Sequence, residues 1–461
     1  MKDPDRFGAS AVACSGLVAL AIGMGIGRFA FTPILPVMRG DFGLSVNQAG
    51  WLASANYVGY LVGALWAMRT SMHVTRAIRG SLLVVGILTL AMGLTERYPA
   101  WLALRFLAGI ASAWVLVFVS SWALARLAAL GRPVRGGLVF SGVGAGILIC
   151  GAGCLMLMQW QASASSAWLL QGAASLALTA SIWPVLTSRR GPAPRSPEMS
   201  NAEDATAPVA FRWTPDAMGL VACYGVFGLG YIIPATFLPA MAQEALADPA
   251  VFGWSWPIFG AAAMLSTLAA SSVNRFVGDR RLWSFGHVVM AAGVALPALH
   301  QGIGAILCAA LLVGGMFMVI TMAGMQEARQ LAGPFGTRLI AAMTAAFAAG
   351  QVVGPVIASQ AVGRFGSFSA ALLGTAALLI LTALPLARSA GRERRSHTGA
   401  PNGDRSVAPF LAPEKKGAAD KAAPLNETEE IGSATALATP LRMHSAAASA
   451  APTPACDVRR F

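Results

Sequence analysis

One stretch of this sequence occurs twice. Gly25-Ile26-Gly27-Arg28-Phe29-Ala30-Phe31-Thr32-Pro33-Ile34-Leu35-Pro36-Val37-Met38 lies over Gly228-Leu229-Gly230-Tyr231-Ile232-Ile233-Pro234-Ala235-Thr236-Phe237-Leu238-Pro239-Ala240-Met241 at a shift of 203 residues (228 − 25 = 203). The register holds without a gap on both sides. Gly16-Leu17-Val18-Ala19 falls on Gly219-Leu220-Val221-Ala222, and Gly50-Trp51 falls on Gly253-Trp254. A unit of that length is far too long for a solenoid repeat, but two parallel halves are what many membrane transporters are built from, with the solute held between them near the midplane. At the centre of the repeat, Tyr231 stands where Arg28 stood.

Composition agrees with a membrane chain. Hydrophobic residues make up 56% of the sequence, charged residues only 11%, and the mean hydropathy is +0.63, values that exclude an ordinary soluble enzyme. The formal charge of +13 does not point to nucleic acid, because the Lys and Arg lie in short loops between apolar runs and in the tail. The six cysteines form no disulfide framework and no zinc spacing, and Cys150 and Cys154, four residues apart, lack a nearby His or acid. They read as small packing residues.

Apolar runs long enough to cross a bilayer follow one another along the chain. In the first half they lie near Ser10–Met38, Gln48–Met68, Ser81–Leu94, Trp101–Leu124, Gly136–Leu157 and Ala167–Leu186. The second half repeats the plan near Met218–Ala242, Phe252–Val273, Phe285–Leu299, Ile303–Ala328, Leu339–Val362 and Phe368–Ala387. Loops bearing Arg69, Arg76 and Arg79, then Arg126, Arg132 and Arg135, then Arg275, Arg280 and Arg281, then Arg329 and Arg338 alternate with loops almost free of positive charge. This predicts an all-α polytopic protein of about twelve transmembrane helices with both termini cytoplasmic. Residues 1–187 and 216–388 are the expected six-helix bundles. Residues 188–215, rich in Arg and Pro, read as a cytoplasmic linker, and residues 389–461 as a disordered cytoplasmic tail.

Arg28 sits inside the first apolar run. An arginine at the middle of a bilayer helix costs ~2.5 to 3.5 kcal/mol even on lenient insertion scales, so it needs a partner, a water-filled cavity or an anionic ligand. The glycines beside it do not form a dinucleotide-binding loop, since apolar residues run on both sides; in a membrane helix they let a neighbour or a solute approach the backbone. Asn56, Tyr57 and Tyr60 give the second span polar points, and Gly59 and Gly63 suit close packing. Arg105, near Tyr98 and Trp101, admits two readings, snorkelling to the headgroups or ligand contact. In the second half, Tyr231 and Gln351 are the matching polar contacts. The tenth span carries Met316, Met318, Met322 and Met325, a packing stripe, and ends at Glu327 beside Arg329, a pairing that suits a gate. No carboxylate lies deep in any span, so the coupling ion is unreadable while the deep fixed charge is positive. A guanidinium captures a carboxylate with two parallel bonds, which makes a small organic anion the expected substrate.

Two halves of six spans, the linker, Leu104-Arg105-Phe106-x-x-Gly109 and Gly350-x-x-x-Gly354-Pro355 resemble the major facilitator superfamily over about residues 10–388. Gly25-Ile26-Gly27-Arg28-Phe29-Ala30-Phe31-Thr32-Pro33, Phe227 to Pro239, and Ala345-Ala346-Phe347-Ala348-Ala349-Gly350-Gln351 are similar to its YbfB/YjiJ-type branch. The resemblance implies alternating access, with the first and fourth span of each half lining the cavity. The sequence departs from the superfamily pattern in two places. Trp66-Ala67-Met68-Arg69-Thr70-Ser71-Met72-His73 lacks the Asp usual between spans two and three, a role that Asp279-Arg280-Arg281 partly takes in the second half, and the fifth span lacks its usual proline.

The expected substrate contacts are therefore Arg28, Asn56, Tyr60, Arg105, Tyr231 and Gln351, and the expected gate residues Asp279, Arg280 and Glu327. No cofactor, metal or nucleic acid is expected. The partners are a small-molecule substrate, with a coupling proton or ion left open, and membrane lipid, for a monomer in the bacterial inner membrane. An exporter of neutral or cationic compounds and a non-transporting sensor on the same fold are the alternatives; an enzyme would need a polar catalytic cluster near one membrane face, and none is legible.

Overall fold

Backbone surrounded by hydrocarbon has only itself to hydrogen-bond, so each apolar run closes into a helix. The computed structural model describes residues 7–70, 72–187, 211–245, 254–300, 302–365 and 369–398. In the first half, α1 (Ala9–Leu20) passes into a π-helical segment (Ala21–Phe29) and then α2 (Phe31–Phe42), followed by α3 (Val46–Ala67), α4 (Val74–Gly93), α5 (Tyr98–Ala129), α6 (Gly136–Gln159) and α7 (Ala164–Thr187). The second half holds α8 (Pro215–Ala245), α9 (Ser255–Val277), α10 (Asp279–Leu299), α11 (Ile303–Ala332), α12 (Gly336–Phe365) and α13 (Ser369–Thr398). With α1, the π segment and α2 counted as one rod, the described residues form twelve long helices, six in each half.

Ten stretches of the described residues are long and apolar enough to cross a membrane, and one of them, Gly304–Ala358, covers most of both α11 and α12. Helix α3 is not among them. Gln48, Asn56, Tyr57 and Tyr60 make it more polar than its neighbours, and it is held instead by close packing on α5. The glycines anticipated as packing residues do this work: a Cβ on Gly59 would overlap the carbonyl of Phe106, and one on Gly63 would lie 2.6 Å from that of Ile110.

Several helix ends differ from the sequence reading. Helix α4 starts at Val74 rather than near Ser81, and α10 at Asp279 rather than Phe285. The basic and acidic residues expected in those loops thus occupy first turns, where Asp279 complements the positive end of the helix dipole. Helix α13 runs to Thr398, past the expected start of the tail at 389, while residues 188–210 of the linker and 399–461 lie outside the described residues. Between α2 and α3 the turn is local in origin. Gly43 closes α2 with φ +64, and Ser45 and Gln48 cap α3 reciprocally at 3.1 and 2.9 Å.

The repeat is also a repeat of packing. A Cβ on Gly25 would lie 2.5 Å from Cα of Gly146, and one on Gly228 would overlap the carbonyl of Phe347, so the first rod lies on α6 as α8 lies on α12. The halves meet along α6 and α9, where Gly144 faces the backbone of Gly260 and Met264, and Gly260 faces that of Leu148. A second seam joins α3 to α12.

Candidate functional site

The site begins with the π segment. Gly23, Gly25 and Gly27 weaken the α-helical preference of residues 21–29, and Pro33 has no N–H to offer the carbonyl of Phe29. The chain answers with wider turns that end at Ala30, and all nine residues of the segment are buried. Arg28 projects from its last turn.

Arg28 is 3% exposed. Its Nη2 donates to Oε1 of Gln351 on α12, a bond between the two halves, and its guanidinium carbon lies 3.9 Å from the ring centre of Tyr60 and 5.4 Å from that of Tyr57. These contacts are neutral. No acid pairs with Arg28 among the described residues, and its Nε and Nη1, like Nε2 of Gln351, have no hydrogen-bond partner there. A buried guanidinium held by one amide and two ring faces retains an uncompensated charge.

Arg105 does not snorkel. It is as buried as Arg28, its guanidinium carbon lies 4.6 Å from the ring centre of Phe31, and its Nη2 reaches the carbonyl of Arg28 at 3.4 Å. The helix places it two turns past Tyr98, facing the first rod, so turning inward is the shorter path. Nε of Arg105 is also unpartnered among the described residues. Asn56 is fully buried and donates to the carbonyl of Arg105 at 3.1 Å, which makes it a tie between α3 and α5, with Oδ1 unpartnered.

Tyr231 is buried and stacks on Phe317 at 4.3 Å between centroids, with Phe29, the neighbour of Arg28, against it edge-on at 6.5 Å. Trp256, Phe259 and Phe347 complete an aromatic wall on the second half, and the indole N–H of Trp256 is unpartnered among the described residues. Phe317 and Trp256 escaped the sequence reading. Phe317 lies between Met316 and Met318, where a stripe of packing residues hid it, and Trp256 sits at a helix start like any interfacial tryptophan. Met318, Met322 and Met325 are core residues, as expected of the stripe.

A second polar group lies at the end of the bundle that carries the arginine-rich loops. Arg280 on α10 clamps Asp216 on α8, with Nη1 to Oδ1 at 2.9 Å, and donates from Nε to Oε1 of Glu327 on α11 at 2.6 Å. Glu327 thus reaches across to Arg280 on α10, where the sequence suggests a pairing with Arg329 on its own helix. Asp279 accepts from Asn274 and, at 2.6 Å, from Gln330. Asp279, Arg280 and Glu327 border a cavity of about 800 Å³ that also touches Pro133 and Val134 of the first half. Asp216 was missed because an acid in a first turn reads as an ordinary helix start.

Residues 20–386 match the family model described as an uncharacterised MFS-type transporter YbfB. The chain belongs to this family of the major facilitator superfamily. Among solved structures it is similar to the superfamily transporter FucP in its outward conformation, with a TM-score of 0.64 over 81% of this chain and 97% of that one, at 14% identity, a likeness of fold alone. A comparison with curated proteins found no match. A major facilitator protein is a multi-pass membrane transporter that moves a small molecule by alternating access. In this transporter, Arg28 and Gln351 meet where the two halves meet.

Proposed function

We propose that this transporter carries a small organic anion, with Arg28 as its anchor, across a bacterial inner membrane with both termini cytoplasmic. One observation carries the reading: a buried guanidinium at the junction of the halves, with two nitrogens unpartnered and no acid paired with it among the described residues. A carboxylate that takes Nη2 from the Gln351 amide gains Nε or Nη1 as its second donor, and the Gln351 amide, itself half-satisfied, is placed to accept the exchange. Tyr60 presses on one face of the guanidinium and so holds its plane in register. Tyr231 and Phe317 supply an apolar surface for the body of the solute.

Because the Arg28–Gln351 bond joins the halves, an anion that takes Arg28 away from Gln351 loosens one half from the other, which is the event alternating access requires. The Asp216–Arg280–Glu327 cluster and Asp279 then act as the cytoplasmic lock of the second half. The protein acts as a monomer, since each half has its counterpart within the same chain.

A thermal-shift screen of the purified full chain tests the substrate class, comparing organic anions, neutral solutes and cations, with Arg28→Lys beside the parent. Carboxylates should raise the melting temperature of the parent, and the lysine variant should lose most of that gain. Stabilisation by cations or neutral compounds alone, unchanged in the variant, would overturn the anion reading in favour of a drug exporter. Orientation is tested with single cysteines at Arg132 and Arg212 in a background freed of native cysteines; labelling by an impermeant reagent in intact cells refutes it.

A further inference from the structure

The anion reading uses Arg28 alone, yet a second arginine lies in the same enclosure. Arg105 is equally buried, touches the carbonyl of Arg28, rests on the ring of Phe31 and has an unpartnered Nε. Phe31 lies three residues after Arg28 on the same rod, so Arg105 touches the first rod at Arg28 and again about one helical turn on. No carboxylate pairs with either guanidinium among the described residues; the acids near the core, Asp216, Asp279 and Glu327, belong to the cluster around Arg280 at the end of the bundle.

A single carboxylate would neutralise one of these charges and leave the other enclosed in apolar surroundings. The two cations are held apart, each on its own ring face, Arg28 on Tyr60 and Arg105 on Phe31. Two anionic groups on a short apolar link would answer one cation each. Resting on the anion reading above, we propose that Arg28 and Arg105 bind the two carboxylates of one dicarboxylate substrate, Arg28 as the primary anchor and Arg105 as the residue that selects for the second charge.

The bland role for Arg105 is to hold the Arg28 carbonyl at the end of the π segment. The two roles separate in binding. Titrations of the purified full chain at constant ionic strength would compare butyrate with succinate and glutarate, and with inorganic phosphate, in the parent, Arg105→Gln and Arg105→Lys. The proposal expects a dicarboxylate to bind the parent at least about tenfold more tightly than butyrate. Arg105→Gln should erase that preference while leaving butyrate affinity within about twofold, and Arg105→Lys should keep part of it. Equal loss for butyrate and dicarboxylate in Arg105→Gln would show a positioning role and overturn the proposal, as would phosphate as the tightest ligand. If Arg105→Gln does not fold, the parent's ratio and the lysine variant decide: a parent that binds butyrate and succinate alike refutes this inference while leaving the anion reading intact. Failure of every anion to bind refutes the anion reading itself, and this one with it.

Discussion

The two copies of the repeated stretch have the same neighbours and opposite chemistry. In the first half, three glycines and Pro33 open the helix into a π segment whose last turn carries Arg28, a cation held by a neutral amide and ring faces. In the second, α8 stays α-helical from Pro215 to Ala245, and Tyr231 is stacked flat against Phe317. Both copies still press a glycine onto the fifth helix of their half, Gly25 on α6 and Gly228 on α12. Duplication kept what packing needs, because a side chain at those glycines has nowhere to go. It freed the central residue, so one wall of the site became cationic and the other aromatic. A solute with a charged end and an apolar body needs both.

The basic ends of the halves differ too. Arg280 is clamped by two acids, whereas in the first half Arg79 lies over Trp183 at 5.2 Å and Arg135 donates to Ser10 at 2.7 Å. The missing Asp before α4 is therefore matched by arginines that rest on neutral groups. Among the described residues, the acid-clamped arginine belongs to the second half.

The largest effect should come from the shared packing. Gly25→Leu and Gly228→Leu should each abolish a monodisperse peak in size-exclusion chromatography, because the new side chain meets backbone that cannot give way. Gly153→Ala, with open space around it, should express like the parent. Tolerance of leucine at one glycine but not at its counterpart would break the equivalence of the halves.

Next comes the lock. Arg280→Ala removes the cation paired with the buried Glu327 and should destabilise the protein by about 3 kcal/mol, seen as a lower midpoint in thermal unfolding. Arg79→Ala should cost less than about 1 kcal/mol, since it removes only a cation resting on a partly exposed tryptophan. Equal losses would erase the contrast between the two ends.

The site comes third. Arg28→Lys keeps the charge but loses the two-pronged geometry, and should weaken anion binding by about 2 kcal/mol, roughly thirtyfold in Kd by calorimetric titration. Tyr231→Phe keeps the stacked ring and should change Kd by less than about threefold. A larger loss at Tyr231 than at Arg28 would move the anchor to the second half.

The sequence by itself determined the duplication, the order of the spans and the presence of a charge where hydrocarbon should be. These are properties of composition and spacing along one chain, and hydropathy reads them directly. It also placed Arg28, Tyr60, Tyr231 and Gln351 among the candidates, since a polar group in an apolar run is conspicuous whatever it touches. Only the tertiary structure decided the partnerships. That Arg28 meets Gln351, 323 residues away, that Arg105 turns inward, and that Asp216 and Glu327 close on Arg280 depend on the rotation of each helix about its axis. That rotation is set by which glycines allow two backbones to touch. No single apolar run records it, because the atoms that decide the contact belong to another helix.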